Sequence, residues 1–266
     1  MTDSIVIGIM SAIDLNFKTL GEGPPVIILH GFLGMLDNWK TFGRKLSEKY
    51  RVFLVDQRDH GRSPHTDDFS YDLLAEDLHD FMDAQNLESA FLIGHSMGGK
   101  TVMRFMQKYP SMVKRAIVVD MAPFKNDNHH NHILEALNSF DPASANARSD
   151  GEEHLLKSIP EIGVVQFLMK NMNRRKEGGF KWKMNLDLLT CKYDEILEAT
   201  DSQISEVPTL FVAGGKSNYI PAYEHEEILR LFPLGKIQTI EDAGHWVHAE
   251  KPEELLELCI EWMQKT

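Results

Sequence analysis

The stretch Phe91-Leu92-Ile93-Gly94-His95-Ser96-Met97-Gly98-Gly99 constrains the fold more than any other part of the chain. Three apolar residues run straight into Gly94. A helical pattern follows over 97–109, with Val102, Met103, Met106 and Tyr109 on one face, until Pro110 stops it. The spacing predicts a strand, a sharp turn and a helix, with Ser96 at the apex. Gly94 and Gly98 bracket the serine at the Gly-x-Ser-x-Gly spacing, which lets strand and helix approach more closely than a Cβ permits. A serine on such a strained turn projects its hydroxyl clear of both elements. The helix N-terminus then lies beside the place where an oxyanion forms. A glycine-rich turn of this kind can also serve packing alone. The flanking strand and helix, and a histidine far downstream, favour the catalytic reading.

Short apolar runs at 26–29, 52–55, 91–93, 116–119, 209–213 and 237–240 read as strands buried on both faces. Helical patterns at 36–49, 71–85, 97–109, 221–231 and 252–263 alternate with them. Residues 5–10 and 14–20 read as two edge strands or, for the former, as a leader. The alternation predicts an α/β fold, a mostly parallel twisted sheet with helices on both faces and sites at the carboxyl ends of its strands. It stops over 124–206. That segment reads as helices at 133–140, 152–159, 164–172 and 186–197 with loops between, and no clear buried strand. It is expected to be a helical lid, inserted after the sixth strand, lying over Ser96. The expected division is a core of 1–123 and 207–266 and a cap of 124–206.

A chain of 266 residues with a net charge of −12 is poorly suited to nucleic acid or anionic membranes. No apolar run reaches membrane-spanning length, and residues 5–10 have no basic residue before them, as a secretory signal would. Two cysteines, Cys191 and Cys259, make no disulfide framework. The expected location is the cytoplasm.

The strand at 26–29 ends in His30-Gly31-Phe32-Leu33-Gly34. A backbone N–H from a loop after an early strand supplies half of an oxyanion hole in such sheets. By position that donor is Phe32, and the other is Met97, the residue after the serine. A serine hydroxyl also needs a base. His245 follows the last strand, and of the twelve histidines it alone has both the right chain order and the right sheet edge. His60 and His65 fit no metal-ligand spacing and read as loop bracing. His129, His130 and His132 read as a solvated helix start rather than a metal site.

The Gly94-His95-Ser96-Met97-Gly98-Gly99 turn, the His30-Gly31 loop and Gly244-His245-Trp246 together resemble the α/β-hydrolase superfamily, over nearly the whole chain outside the lid. Within it, the run Asp56-Gln57-Arg58-Asp59-His60-Gly61-Arg62-Ser63-Pro64-His65 and Val119-Asp120-Met121-Ala122-Pro123 resemble the YbfF-type bacterial esterases. One departure stands out. Most members of the superfamily carry the triad acid in the loop after the strand that follows the lid. Here that loop reads Gly214-Gly215-Lys216-Ser217, and no carboxylate follows until Glu224. Asp120 ends the neighbouring strand, and adjacent strands are about 4.8 Å apart, so an acid moved over by one strand reaches the same imidazole. The YbfF-type pattern likewise implies an acid after this earlier strand. Asp120 is therefore the expected acid. Ser217 is expected beside it, and His95 and Trp182 are expected near the pocket.

The resemblance implies a serine hydrolase of carboxylic esters or thioesters, with small-molecule substrates and with neither metal nor organic cofactor. The rivals are another activity of the superfamily, such as carbon–carbon bond hydrolysis or a lyase-like synthase, and a non-catalytic ligand-binding member. The lid also concentrates Lys170, Arg174, Arg175, Lys176, Lys181 and Lys183, broken only by Glu177. A solvated surface is the plain reading. The sharper one makes Arg174, Arg175 and Lys176 contacts for the anionic part of a substrate such as an acyl-CoA, with Trp182 stacking on a ring or closing the acyl pocket.

Overall fold

The computed structural model describes residues 13–200 and 202–265. The strands β1 (Phe17–Leu20), β2 (Pro25–Leu29), β3 (Arg51–Val55), β4 (Ala90–His95) and β5 (Val113–Val119) come first in the chain. After a long insertion come β8 (Thr209–Gly214) and β9 (Gly235–Ile240). These seven form one sheet in the order β1-β3-β2-β4-β5-β8-β9, with β1 antiparallel to β3 and the other pairs parallel. The candidate strand at 5–10 lies outside the described residues. Counted over the described strands, the insertion follows the fifth.

Side chains alternate across the sheet with the period of two that strands impose. Ile27, Leu29, Val118, Phe211 and Ala213 face one layer. That layer holds α2 (Tyr71–Ala84), α3 (Met97–Lys108) and α9 (His225–Leu231). Val26, Ile28, Ile117, Val119, Leu210 and Val212 face the other. This second layer holds α1 (Lys40–Leu46), α10 (Val247–Glu250) and α11 (Pro252–Gln264). Doubly covered strands of this kind must be apolar on both faces, which is why the strand runs are continuous in the sequence.

The insertion carries α4 (Asn131–Asn138), α5 (Arg148–Leu155), α6 (Ile162–Met169), α7 (Leu186–Cys191) and α8 (Tyr193–Leu197). It also contains a short antiparallel pair, β6 (Met172–Arg174) and β7 (Phe180–Trp182), where helix and loop are expected from the sequence. Strands of three residues are too short to show a period, and the turn between them uses Gly178 and Gly179 at φ 102° and 66°. The apolar faces of these helices bury against Leu33, Phe69, Tyr71, Leu74 and Met97 of the sheet domain, forming a third cluster above the carboxyl edge. Polar ties fix where the insertion returns to the sheet domain. Tyr71 Oη donates to the Ile196 carbonyl at 2.7 Å. Lys100, fully buried on α3, donates to the carbonyls of Leu197 and Glu198 at 2.9 and 2.6 Å. These are the open carbonyls at the end of α8, so the lysine serves as its cap. Burial lowers the Lys100 ammonium from its ordinary range to about 7.

Candidate active site

Ser96 stands between β4 and α3 at φ 51° and ψ −122°, a conformation L-residues seldom adopt. The turn closes only because its neighbours lack side chains. A Cβ on Gly94 would collide with the Gly98 carbonyl oxygen, and one on Gly98 would lie 2.5 Å from the Leu29 carbonyl oxygen. The strain is held by β4, which pairs with β2 on one side and β5 on the other.

His245, in the loop after β9, places Nε2 3.0 Å from Ser96 Oγ. Its Nδ1 is 2.7 Å from Asp120 Oδ2. Asp120 follows β5 and is completely buried. Its Oδ1 accepts the Gly214 N–H at 2.9 Å, and its Oδ2 accepts the Ser217 hydroxyl at 2.5 Å. A carboxylate so placed accepts a hydrogen bond from Nδ1–H of the imidazole, which leaves the Nε2 lone pair facing the serine hydroxyl. The end of β8 and the loop after it, without an acid, thus supply two donors to an acid at the end of the neighbouring β5. The loop also supplies Tyr219, whose ring stacks on His245 at 4.0 Å with 23° between the planes. Tyr219 escapes a reading of the sequence. The available signal is its position two residues after Ser217, in a loop with no acid.

Among the described residues, the backbone N–H groups of Phe32 and Met97 make no hydrogen bond within the chain. The first lies in the loop after β2, the second at the start of α3 beside Ser96. His30 fixes that loop with both ring nitrogens: Nδ1 donates to the Gly31 carbonyl at 2.8 Å, and Nε2 accepts the Gln57 N–H at 3.1 Å. Asn171, from the insertion, donates to the Leu33 carbonyl at 2.8 Å. His60 accepts the Leu33 N–H and donates to the Arg58 carbonyl. His65 donates to the Lys183 carbonyl at 2.7 Å. His95 donates from Nε2 to the His245 carbonyl at 2.8 Å. Burial lowers the imidazole pKa of His30 and of His130 to about 4 and those of His60 and His248 to about 3, and holds His95 well below its ordinary value. These rings are therefore neutral near pH 7 and add no positive charge around His245.

A cleft opens over Ser96 and His245. Its apolar walls are Phe32 and Trp246 from the sheet domain and Ile133, Val164, Phe167 and Leu168 from the insertion. The insertion residues come from helix faces whose period is legible but whose target is not. His130, Nδ1 at 2.9 Å from the Tyr193 hydroxyl, also borders the cleft. Among the described residues, no group of three or more His, Cys, Asp and Glu is placed to hold a metal ion.

Two sets of residues expected at the substrate lie away from the cleft. Arg174, Arg175 and Lys176 do not line the cleft. They sit on the β6–β7 hairpin, where Arg174 lies 5.2 Å over the Phe180 ring and Arg175 pairs with Glu177 at 2.7 Å in solvent. The hairpin buries Met172 and Phe180 in the apolar cluster and leaves Arg174 and Lys176 exposed. Trp182 does not line the cleft either. It packs against Phe140 at 6.1 Å within the insertion's own apolar cluster. His95 borders the cleft beside Ser96, and Ser217 touches Asp120.

Residues 24–147 match the alpha/beta hydrolase fold family. The chain is 36% identical over 245 residues to the sn-1-specific diacylglycerol lipase ABHD11 of Mus musculus, covering 88% of this chain and 79% of that one. It is 34% identical over 235 residues to the esterase YbfF of Escherichia coli, covering 87% and 90% respectively. A solved structure of a marine microorganism esterase superposes with a TM-score of 0.92 at 41% identity, over 94% of this chain and all of that one.

Proposed function

The chain belongs to the α/β-hydrolase family, in the branch that holds esterase YbfF and the ABHD11 lipases, and from that membership we propose that it is a serine esterase working through an acyl-enzyme. The observation that carries the reading is the single imidazole that bridges Ser96 at 3.0 Å and the buried Asp120 at 2.7 Å. Ser96 Oγ attacks the ester carbonyl carbon as His245 Nε2 takes its proton. The carbonyl oxygen, now negative, is held by the N–H groups of Phe32 and Met97. One such donor is worth about 3 kcal/mol in reactions of this type. Collapse of the tetrahedral species expels the alcohol, which takes the proton from His245. Water then attacks the acyl-serine by the same steps in reverse order. Asp120 holds the tautomer and stabilises the imidazolium.

Residues 124–206 act as the cap in this reading. They roof the cleft with apolar side chains and leave the acyl group a dry wall to lie against. The substrates are small esters, and the same chemistry accepts a thioester. The free thiols of Cys191 and Cys259 support a reducing compartment, and we place the protein in the cytoplasm. No described helix is long and apolar enough to cross a membrane.

The test is steady-state turnover of p-nitrophenyl esters of increasing acyl length, with an acyl-CoA of matched chain alongside. The purified chain is expected to hydrolyse the aryl esters, and a chain inert toward the whole series contradicts the proposal. The triple variant Arg174→Gln, Arg175→Gln, Lys176→Gln is expected to leave the ratio of kcat/KM for the acyl-CoA and the neutral ester unchanged, within about twofold, as for other exposed residues away from a site. A selective fall for the acyl-CoA returns these cations to the substrate.

A further inference from the structure

The loop after β8 carries no acid and lies beside the histidine. Ser217 from this loop ties Asp120, and Tyr219 covers the imidazole. The two rings lie nearly parallel at 4.0 Å, the arrangement in which a π face stabilises a neighbouring cation. Tyr219 is itself held. Its N–H donates to Ser217 Oγ at 3.3 Å, and its carbonyl accepts the Ala122 N–H at 3.0 Å, two residues after Asp120. The ring is therefore fixed to the same backbone that carries the acid. Together with His245 it borders an open, polar groove.

The groups facing His245 are few. Asp120 meets Nδ1, and Ser96 meets Nε2. The His95 ring lies 4.8 Å away and is kept neutral by burial. The Trp246 ring is 6.2 Å off. His248 and His130, which lie near enough to sense the charge of His245, are also neutral by burial. Among the described residues, Asp120 and the Tyr219 ring are the groups in contact with this imidazole that stabilise positive charge on it.

We propose that Tyr219 is a positioning residue for the ester hydrolysis: its ring clamps His245 in register with Ser96 and stabilises the imidazolium formed in each half-reaction. The inference rests on His245 being the base. The hydroxyl of Tyr219 is not required, because the stabilising element is the ring face.

The test compares Tyr219→Leu, Tyr219→Met and Tyr219→Phe by kcat/KM against pH on an aryl ester. Leucine and methionine keep apolar bulk over the imidazole, so they remove the π face without opening His245 to water. Removing a stabiliser of the imidazolium makes it a stronger acid. The acid limb of the profile is expected to move to lower pH by about half a unit, and the plateau to fall about fivefold. Tyr219→Phe is expected to overlay the parent protein in both respects. A lower plateau with an unmoved acid limb in Leu and Met reduces Tyr219 to packing and overturns the proposal. So does a Phe variant that behaves like Leu. Should one aliphatic variant fail to fold, the other decides. Ser96→Ala, assayed in parallel, separates the two levels. If it retains turnover, the reading of the site fails. If it is dead while the Tyr219 variants match the parent, this inference alone fails.

Discussion

Asp120→Asn is expected to lower ester turnover about 10⁴-fold, as the loss of a triad carboxylate does when the geometry survives. The reason lies in proton placement. The carboxylate accepts from the Gly214 N–H, the Ser217 hydroxyl and His245 Nδ1. An asparagine carboxamide whose oxygen keeps the Gly214 N–H bond puts its NH₂ in the place of Oδ2, where it faces both the Ser217 hydroxyl and the imidazole. Nδ1 must then accept, the proton moves to Nε2, and that nitrogen can no longer take the proton of Ser96. Ser217→Ala leaves the charge and the tautomer in place and removes one donor, for a cost of roughly tenfold. The measurement is kcat/KM on one aryl ester for Asp120→Asn, Ser217→Ala and Glu224→Gln, each checked for folding by thermal melting. Near-full activity in Asp120→Asn, with loss in Glu224→Gln, contradicts the assignment. It returns the acid to the segment after β8.

Ser96→Ala is expected to cost more, about 10⁶-fold, because no other group in the cleft replaces a covalent nucleophile. Stability should barely change. Serine and alanine both carry a Cβ, so the strained φ of 51° is no worse for the variant. Among the described residues, the hydroxyl's hydrogen-bond partner is His245. The thermal midpoint should therefore stay within a few degrees, as for a change of less than about 1 kcal/mol. Loss of activity together with loss of the folded state would leave Ser96 as a structural residue of the turn.

The parts of the fold that follow from local pattern are legible in the sequence. Parallel strands buried on both faces read as apolar runs, and Pro110 and the glycines around Ser96 mark boundaries that the backbone respects. The β6–β7 hairpin is not legible, because three residues a side carry no periodicity and two glycines mark a turn without saying what it joins. The acid illustrates a different limit. Nothing local distinguishes Asp120 from other loop aspartates. The role proposed for it rests on the lack of an acid around Ser217, on the spacing of adjacent strands, and on a resemblance to the YbfF-type esterases. The basic residues of the insertion show another limit. Arg174, Arg175 and Lys176 are dense in sequence, but density does not say which way a hairpin faces. Tyr219 lies 26 positions before His245 in the chain, and no pattern links two side chains that meet only because β8 and β9 are neighbours.

The central claim is that Ser96 is the covalent nucleophile, activated by His245. A fluorophosphonate probe followed by peptide mapping tests it most directly, since the probe phosphonylates only a serine whose hydroxyl is activated. The account predicts one adduct per chain, on Ser96, absent in Ser96→Ala and formed far more slowly in His245→Gln. An adduct on any other serine, or labelling that persists in Ser96→Ala, contradicts it.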